Sequence, residues 1–150
     1  LMGECLSYTF SPSEYNRVGE ATSKILGGNL AMLAHLTGSA SEIDTDGKIL
    51  FIEDIGEHLY HIDRMMLNLK RSGQLSKLKG ILIGSFTDIE DTERPFGQSL
   101  EQIISDKVKE YDFPVAFNFA CGHDEVNNTL VLGVPYRMVV EQGGTSLVML

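Results

Sequence analysis

Short apolar runs alternate with amphipathic segments along the chain, and this alternation predicts strands and helices in turn. Residues 49–52 and 79–86 contain β-favouring runs that are typical of strands buried on both faces, as in a parallel sheet. The segment 57–71 between them has apolar residues spaced three and four apart, which predicts an amphipathic helix. These residues are Leu59, Ile62, Met66 and Leu69. A strand, a helix and a second strand in this order predict a sheet that is at least partly parallel.

The N-terminal third predicts an edge strand and a short strand–helix pair. Residues 3–10 alternate weakly between apolar and polar, which favours an edge strand, and the polar stretch up to residue 21 has no clear pattern. The short apolar run Ile25-Leu26 leads into Gly27-Gly28-Asn29. Asn29 is placed to cap a helix over 30–37, which a glycine ends.

The C-terminal half predicts a third buried strand and an antiparallel end. A second amphipathic helix is expected over 98–111, and a buried strand over 114–120. Short strands over 129–134 and 137–141 are expected around a proline, and Gln142-Gly143-Gly144 predicts a hairpin turn into a last strand. The expected fold is therefore α/β, with a partly parallel sheet, flanking helices and an antiparallel C-terminal hairpin.

Glu53 follows the apolar run 49–52 directly. Ligands of open α/β sheets bind outside the carboxyl ends of the strands, so a carboxylate at this position is placed for chemistry. The alternative is that Glu53 only caps the next helix. Asp54 and Glu57 are expected to lie in or before the first turn of that helix and to complement its dipole.

His123 follows the third predicted strand, within Cys121-Gly122-His123-Asp124. Two separate strands thus place Glu53 and His123 at one rim of the sheet, which is the arrangement that a general base and its orienting carboxylate require. The alternative is a solvated histidine in a polar loop.

Two other patterns favour structural roles. Gly27-Gly28-Asn29 before a helix could hold an anion on free N–H groups, but it lacks the lysine and third glycine of phosphate-binding loops and favours a tight turn. His58 and His61, three residues apart on a helix, could share a metal ion, but no third ligand follows at a recognisable spacing. The sequence predicts neither a metal nor a cofactor.

Composition narrows the function further. With 150 residues, 43% of them hydrophobic, the chain fits one globular domain, and a net charge of −9 without Lys/Arg clusters argues against a nucleic-acid partner. The apolar runs are too short to span a membrane. Cys5 and Cys121 form neither a disulfide framework nor a CxxC pair, which fits a reducing compartment. The chain starts at Leu1, which indicates a piece of a longer protein or lost N-terminal residues.

The chain offers no convincing nucleophile for the histidine. Ser85 lacks a Gly-x-Ser-x-Gly elbow, and Cys121 lies too close to His123 in sequence to be presumed its partner. We expect the nucleophile to lie elsewhere.

Four motifs of the chain carry a resemblance to a known family. They are Leu26-Gly27-Gly28-Asn29-Leu30, Gly47-Lys48-Ile49-Leu50-Phe51-Ile52-Glu53-Asp54-Ile55-Gly56-Glu57, Tyr60-His61-Ile62-Asp63-Arg64-Met65 and Gly122-His123. In this order they resemble the C-terminal half of the LD-carboxypeptidases, a family of serine peptidases that includes the muramoyltetrapeptide carboxypeptidases and the microcin C immunity proteins. The resemblance covers most of the chain, from about residue 17 to residue 140.

The resemblance implies a fold and a mechanism. The fold is a swivelling β/β/α domain that packs against an N-terminal domain absent from this sequence, with the active site between the two. A serine of that missing domain attacks an amide carbonyl, His123 matches the general base and Glu53 the carboxylate that orients it. The family reaction needs no metal or cofactor, and the 150-residue chain alone is expected to be inactive.

The resemblance also implies a biological setting. Such enzymes usually form homodimers in the bacterial cytoplasm and release terminal D-alanine from recycled murein peptide. Two alternatives are open at this stage: hydrolysis of the amide between a peptide and a nucleotide, as in the microcin C branch, and a non-catalytic binding or dimerisation module on the same fold.

Overall fold

Seven strands form one mixed sheet with three flanking helices in the computed structural model, which describes residues 6–150. The strands lie in the order β1-β7-β6-β2-β3-β4-β5. In chain order the elements are β1 (Ser7–Phe10), β2 (Gly19–Asn29), α1 (Leu30–Leu36), β3 (Ile49–Ile55), α2 (Leu59–Arg71), β4 (Gly80–Thr87), α3 (Leu100–Val108), β5 (Val115–Ala116), β6 (Pro135–Glu141) and β7 (Gly144–Met149).

Strand β2 joins an antiparallel half of the sheet to a parallel half. Its residues 19–24 pair antiparallel with β6, and its residues 25–29 pair parallel with β3. The β6–β7 hairpin and β1 extend the antiparallel side, while β4 and β5 extend the parallel side. The expected α/β fold, with a partly parallel sheet and an antiparallel C-terminal hairpin, is confirmed.

Side chains of β3 alternate between two apolar cores, one on each face of the sheet. Leu50 and Ile52 belong to a core that contains residues of all three helices, and Ile49 and Phe51 belong to the core on the opposite face. That second face is covered by residues of the antiparallel strands and by Phe119, rather than by helices. Residues of the antiparallel strands cover one face of the parallel strands, and the helices cover the other. This gives the expected β/β/α layers.

Both ends of α1 follow the sequence expectation. The Asn29 side chain accepts a hydrogen bond from the Met32 N–H at 3.0 Å, which satisfies a free donor of the first turn. Helix α1 ends at Leu36, and Gly38 turns the chain away with a φ of 77° that favours glycine.

Helix α3 is held at both ends by side chains. Ser99 and Gln102 form a reciprocal capping box at its start. At its end the Arg17 guanidinium donates to three carbonyl oxygens, one in the last turn of the helix and two in the segment that follows it. These belong to Val108, Tyr111 and Phe113.

The predicted strand 114–120 is wrong in extent, because only Val115–Ala116 pairs with β4. Asn118 adopts a φ of 72°, which turns the chain out of the ladder. Phe119 then donates its N–H to Ile83 at 3.2 Å, so the segment lies against the end of β4 without forming a strand.

The predicted strand 129–134 is also wrong. Two of its backbone groups bond to tyrosine hydroxyls instead of a ladder: Thr129 accepts from Tyr8 at 2.6 Å, and Val131 donates to Tyr136 at 3.2 Å. Pro135 begins β6 rather than separating two strands.

The N-terminal predictions are partly confirmed. Strand β1 covers residues 7–10 of the predicted 3–10 and lies at the edge of the sheet; residues 3–5 are outside the described part of the chain. The first half of β2, at 19–23, was not predicted.

Within residues 6–150, no helix is long and apolar enough to cross a bilayer.

Candidate active site

Glu53 and His123 are in direct contact although they lie on separate elements. His123 Nδ1 is 2.7 Å from Glu53 Oε2. The Glu53 residue is 7% exposed, whereas the His123 side chain is 45% exposed. The structure thus brings the two predicted site residues together, with the carboxylate buried beneath a histidine that faces solvent.

A bulge in β4 lies beside Glu53. Ile52 pairs with Ile83 and Asp54 pairs with Phe86, so two residues of β4 face Glu53 alone. One of these, Ser85, donates its N–H to the Cys121 carbonyl at 2.9 Å. The bulge therefore attaches the segment that leads to His123 directly to the strand beside Glu53. Glu53 itself lies within β3, two residues before its end, rather than after it as the sequence predicted.

Two glycines let the histidine segment come this close. A Cβ at Gly84 would overlap the Cys121 carbonyl oxygen. A Cβ at Gly122 would lie 3.2 Å from the Cβ of Ser85 and 3.3 Å from the Cβ of Glu53, which is tighter than ordinary contacts. Because Gly122 has no side chain, its backbone passes directly over Glu53 and His123 Nδ1 reaches the carboxylate.

The loop 121–128 around His123 is closed by its own polar groups. The Asn127 side chain accepts from the Gly122 N–H at 3.2 Å and donates to the Gly122 carbonyl at 2.8 Å. Asn128 donates its N–H to the Ala120 carbonyl at 2.8 Å. Asp124 accepts from the Thr87 hydroxyl at 3.1 Å. These contacts were not predicted, since an asparagine in a polar loop does not reveal which backbone group its amide will bind.

Asp54 points to the opposite face of β3 from Glu53, as successive strand residues do. Its carboxylate accepts from Asn29 Nδ2 at 2.7 Å and from the Ala31 N–H at 3.0 Å, and the residue is 2% exposed. The prediction that Asp54 complements the helix after β3 is wrong, because it binds the start of α1. The Asp54 carboxylate therefore binds at the turn where the sequence left an external anion as an alternative.

Glu53 does not cap α2, which was the alternative role for this residue. The N-cap residue of α2 is His58, and it makes no side-chain capping bond. Glu57 lies just before the helix and bonds His61 Nδ1 at 2.9 Å through Oε2. The Glu53 carboxylate is therefore engaged by His123 rather than by a helix end.

His58 and His61 form no recognisable metal site. Their ring centroids are 6.0 Å apart, and His61 Nδ1 is engaged by Glu57. In the described part of the chain, no group of three His, Cys, Asp or Glu side chains is arranged to hold a metal ion.

The two nucleophiles considered from the sequence are poorly placed for attack. Burial raises the pKa of the Cys121 thiol, and the charge of Glu53 raises it further, which is opposite to what an activated thiol needs. Ser85 makes no side-chain hydrogen bond to His123. Among residues 6–150, none places a hydroxyl or thiol within hydrogen-bond distance of the imidazole.

The Glu53–His123 pair can do one kind of chemistry well. A carboxylate that accepts from Nδ1–H fixes the tautomer, which leaves Nε2 unprotonated and able to take a proton. The tautomer follows from the acceptor character of Glu53. Nε2 of His123 has no hydrogen-bond partner among the described residues, so it can accept a proton or a hydrogen bond from a group outside this chain.

The chain resembles known proteins over most of its length. The family described as LD-carboxypeptidase C-terminal domain matches residues 22–138. The probable murein peptide carboxypeptidase of Bacillus subtilis is 38% identical over 120 residues, which are 80% of this chain and 38% of that protein. The microcin C7 self-immunity protein MccF of Escherichia coli is 32% identical over 121 residues, which are 77% of this chain and 33% of that protein.

A solved structure has the same fold. The crystal structure of muramoyltetrapeptide carboxypeptidase from Oxalobacter formigenes superposes with a TM-score of 0.88 at 30% identity. The match covers 99% of this chain and 51% of that one. The chain thus spans about half, or less, of the length of these relatives.

Proposed function

Because the chain belongs to the LD-carboxypeptidase family, as its C-terminal domain, we propose that it supplies two members of a Ser-His-Glu triad. His123 is the general base and Glu53 the carboxylate that orients it. The contact of 2.7 Å between His123 Nδ1 and Glu53 Oε2 carries this proposal.

The nucleophilic serine belongs to an N-terminal domain of the longer protein. The chain spans 38% of the related Bacillus protein, which leaves room for such a domain in a complete enzyme. The exposed imidazole and its free Nε2 support this placement of the serine in another domain. A serine of that domain must reach Nε2 to complete the triad.

In the mechanism, His123 Nε2 removes the proton of the serine hydroxyl as the oxygen attacks the amide carbonyl. The buried Glu53 carboxylate stabilises the imidazolium that forms, at short range and partly shielded from solvent. His123 then gives the proton to the leaving amine, and water completes the hydrolysis of the acyl-enzyme by the same path. This chain provides the proton transfers; the oxyanion site must come from the other domain.

The substrate we propose is murein tetrapeptide, from which the enzyme releases terminal D-alanine at the L,D-amide bond. The names of the Bacillus and Oxalobacter relatives favour it. The proposal includes a homodimer in the cytoplasm, as the family resemblance implies. Analytical ultracentrifugation of the complete enzyme checks the dimer.

The similarity to MccF supports a second candidate, the amide between a peptide and a nucleotide. Both substrates need the same base and carboxylate, so the Glu53–His123 contact does not separate them. Parallel assays of the complete enzyme on a murein tetrapeptide and on a peptidyl nucleotide do. The contact itself favours a catalytic role over a purely non-catalytic module, since an exposed histidine held on a buried carboxylate is the arrangement that a general base requires.

The experiment that tests the proposal measures D-alanine release by the complete enzyme and its variants. We expect His123→Ala to lower kcat by at least about 1,000-fold and Glu53→Gln by about 100- to 10,000-fold. His35→Ala and Glu125→Gln are matched controls, because both side chains are exposed and lie outside the pair. Near-normal turnover in His123→Ala would sink the triad assignment.

A further inference from the structure

The Asn127 side chain bonds both the backbone N–H and the backbone carbonyl of Gly122. Oδ1 accepts from the Gly122 N–H at 3.2 Å, and Nδ2 donates to the Gly122 carbonyl at 2.8 Å. Gly122 lies outside the sheet, where no neighbouring strand can bond its backbone. The side-chain amide of Asn127 takes the place of such a strand.

The position of Gly122 decides whether His123 reaches Glu53. Gly122 precedes the histidine and lies against Glu53 so closely that an added Cβ would be 3.3 Å from the Glu53 Cβ. Nothing else bonds the backbone N–H or carbonyl of Gly122 within residues 6–150. A small displacement of this residue therefore moves the imidazole directly.

The ends of the loop are fixed without Asn127. Ser85 N–H bonds the Cys121 carbonyl at 2.9 Å, and Asn128 N–H bonds the Ala120 carbonyl at 2.8 Å. Both contacts use backbone groups, so a change of the Asn127 side chain leaves them in place. Its loss should loosen the histidine turn while the sheet and the base of the loop persist.

We propose that Asn127 is a positioning residue, which holds Gly122 and thereby keeps His123 Nδ1 on the Glu53 carboxylate. The effect of Asn127 on turnover rests on the proposed function, whereas its hold on the imidazole does not. The hydrogen bonds of the Asn127 side chain go to Gly122 and not to Glu53 or His123, so it acts through the position of the histidine.

Three variants separate this role from a general effect on the loop. Asn127→Ala removes both bonds to Gly122. Asn127→Asp is nearly isosteric, but it replaces the donor by an oxygen that faces the Gly122 carbonyl. Asn128→Ala is the matched control, because its side chain makes no hydrogen bond in the described chain and its backbone bond to Ala120 remains.

The first readout is the tautomer of His123 in the 150-residue chain, from two-bond ¹H–¹⁵N spectra at a pH where the ring is neutral. His123→Ala assigns the signals. We expect the Nδ1–H form in the wild type and in Asn128→Ala, and a shift towards the Nε2–H form in Asn127→Ala and Asn127→Asp. An unchanged tautomer in both Asn127 variants, or an equal shift in Asn128→Ala, would overturn the inference.

The second readout is turnover by the complete enzyme. We expect Asn127→Ala and Asn127→Asp to lower kcat about 10- to 100-fold with little change in KM, because only the position of the base is altered. A changed KM with normal kcat would overturn a role through the base. If His123→Ala itself kept normal turnover, the proposed function would fail, while the tautomer would still report whether Asn127 holds the ring.

Discussion

Asn29 and Asp54 are joined by a hydrogen bond of 2.7 Å, from Nδ2 to Oδ1, between neighbouring strands of the parallel half. The other oxygen of Asp54 accepts from the Ala31 N–H at 3.0 Å. One buried carboxylate therefore holds both the N-cap residue and the first turn of α1. Since Asn29 is the residue that pairs with Glu53, this bond also fixes the sheet beside the candidate site.

Asp54→Asn should lower the free energy of unfolding by about 1–3 kcal/mol, because charge-assisted hydrogen bonds to a buried carboxylate are lost or weakened. Urea unfolding followed by circular dichroism measures it. Asp112→Asn is the control, since Asp112 is exposed. Equal midpoints for the two variants would contradict the account of Asp54.

Gly27 and Gly28 form a matched pair for a test of close packing in β2. Both have a positive φ, 135° and 143°, so alanine is strained at either position by about 1–3 kcal/mol. Only at Gly27 would the new Cβ overlap the Phe51 carbonyl oxygen, whereas Gly28 faces open space. Gly27→Ala should therefore lose at least about 2 kcal/mol more than Gly28→Ala in urea unfolding. Similar losses of unfolding free energy in the two variants would contradict the close packing of Gly27 on Phe51, because β2 would then move away from β3 at little cost.

Arg17→Ala should destabilise the chain by about 1–3 kcal/mol, because one carbonyl at the end of α3 and two in the segment after it lose their guanidinium donor. Arg94→Ala is the control, since the Arg94 side chain is exposed. Thermal unfolding of both variants provides the comparison. A wild-type midpoint for Arg17→Ala would show that solvent satisfies these carbonyls equally well.

Cys121 should react slowly with iodoacetamide at pH 7.4. Burial and the charge of Glu53 raise its pKa, so the reactive thiolate is scarcer than in an unperturbed cysteine, and the rate should rise as the pH increases. Peptide mapping separates Cys121 from Cys5. Labelling in 8 M urea should be faster at the same pH, because unfolding removes both causes of the raised pKa. Glu53→Gln should speed the labelling of the folded chain, and an unchanged rate would remove Glu53 as a cause.

The sequence predicted those parts of the fold that local patterns encode. The run 49–52 and the helix stripe from Leu59 to Leu69 specify burial, and both are found as expected. Asn29 as a helix cap is equally local. The contact between Glu53 and His123 was anticipated because both follow predicted strands of one parallel sheet. In the structure Glu53 lies within β3, and His123 follows a segment that has left the ladder after Ala116.

The errors arise where tertiary contacts replace local ones. Residues 129–134 look like a strand, but Thr129 and Val131 bond the hydroxyls of Tyr8 and Tyr136, which no local pattern indicates. Asp54 precedes one helix in sequence and binds another in space. Asn127 was missed for the same reason, since its target is defined by the path of the loop.

We propose above all that this chain holds the base and its carboxylate while the nucleophile lies in another domain. The most direct measurement compares D-alanine release from murein tetrapeptide by the 150-residue chain and by the complete enzyme that contains it. We predict no release above background by the chain alone and turnover by the complete enzyme that His123→Ala abolishes. Release of D-alanine by the 150-residue chain alone would contradict the account.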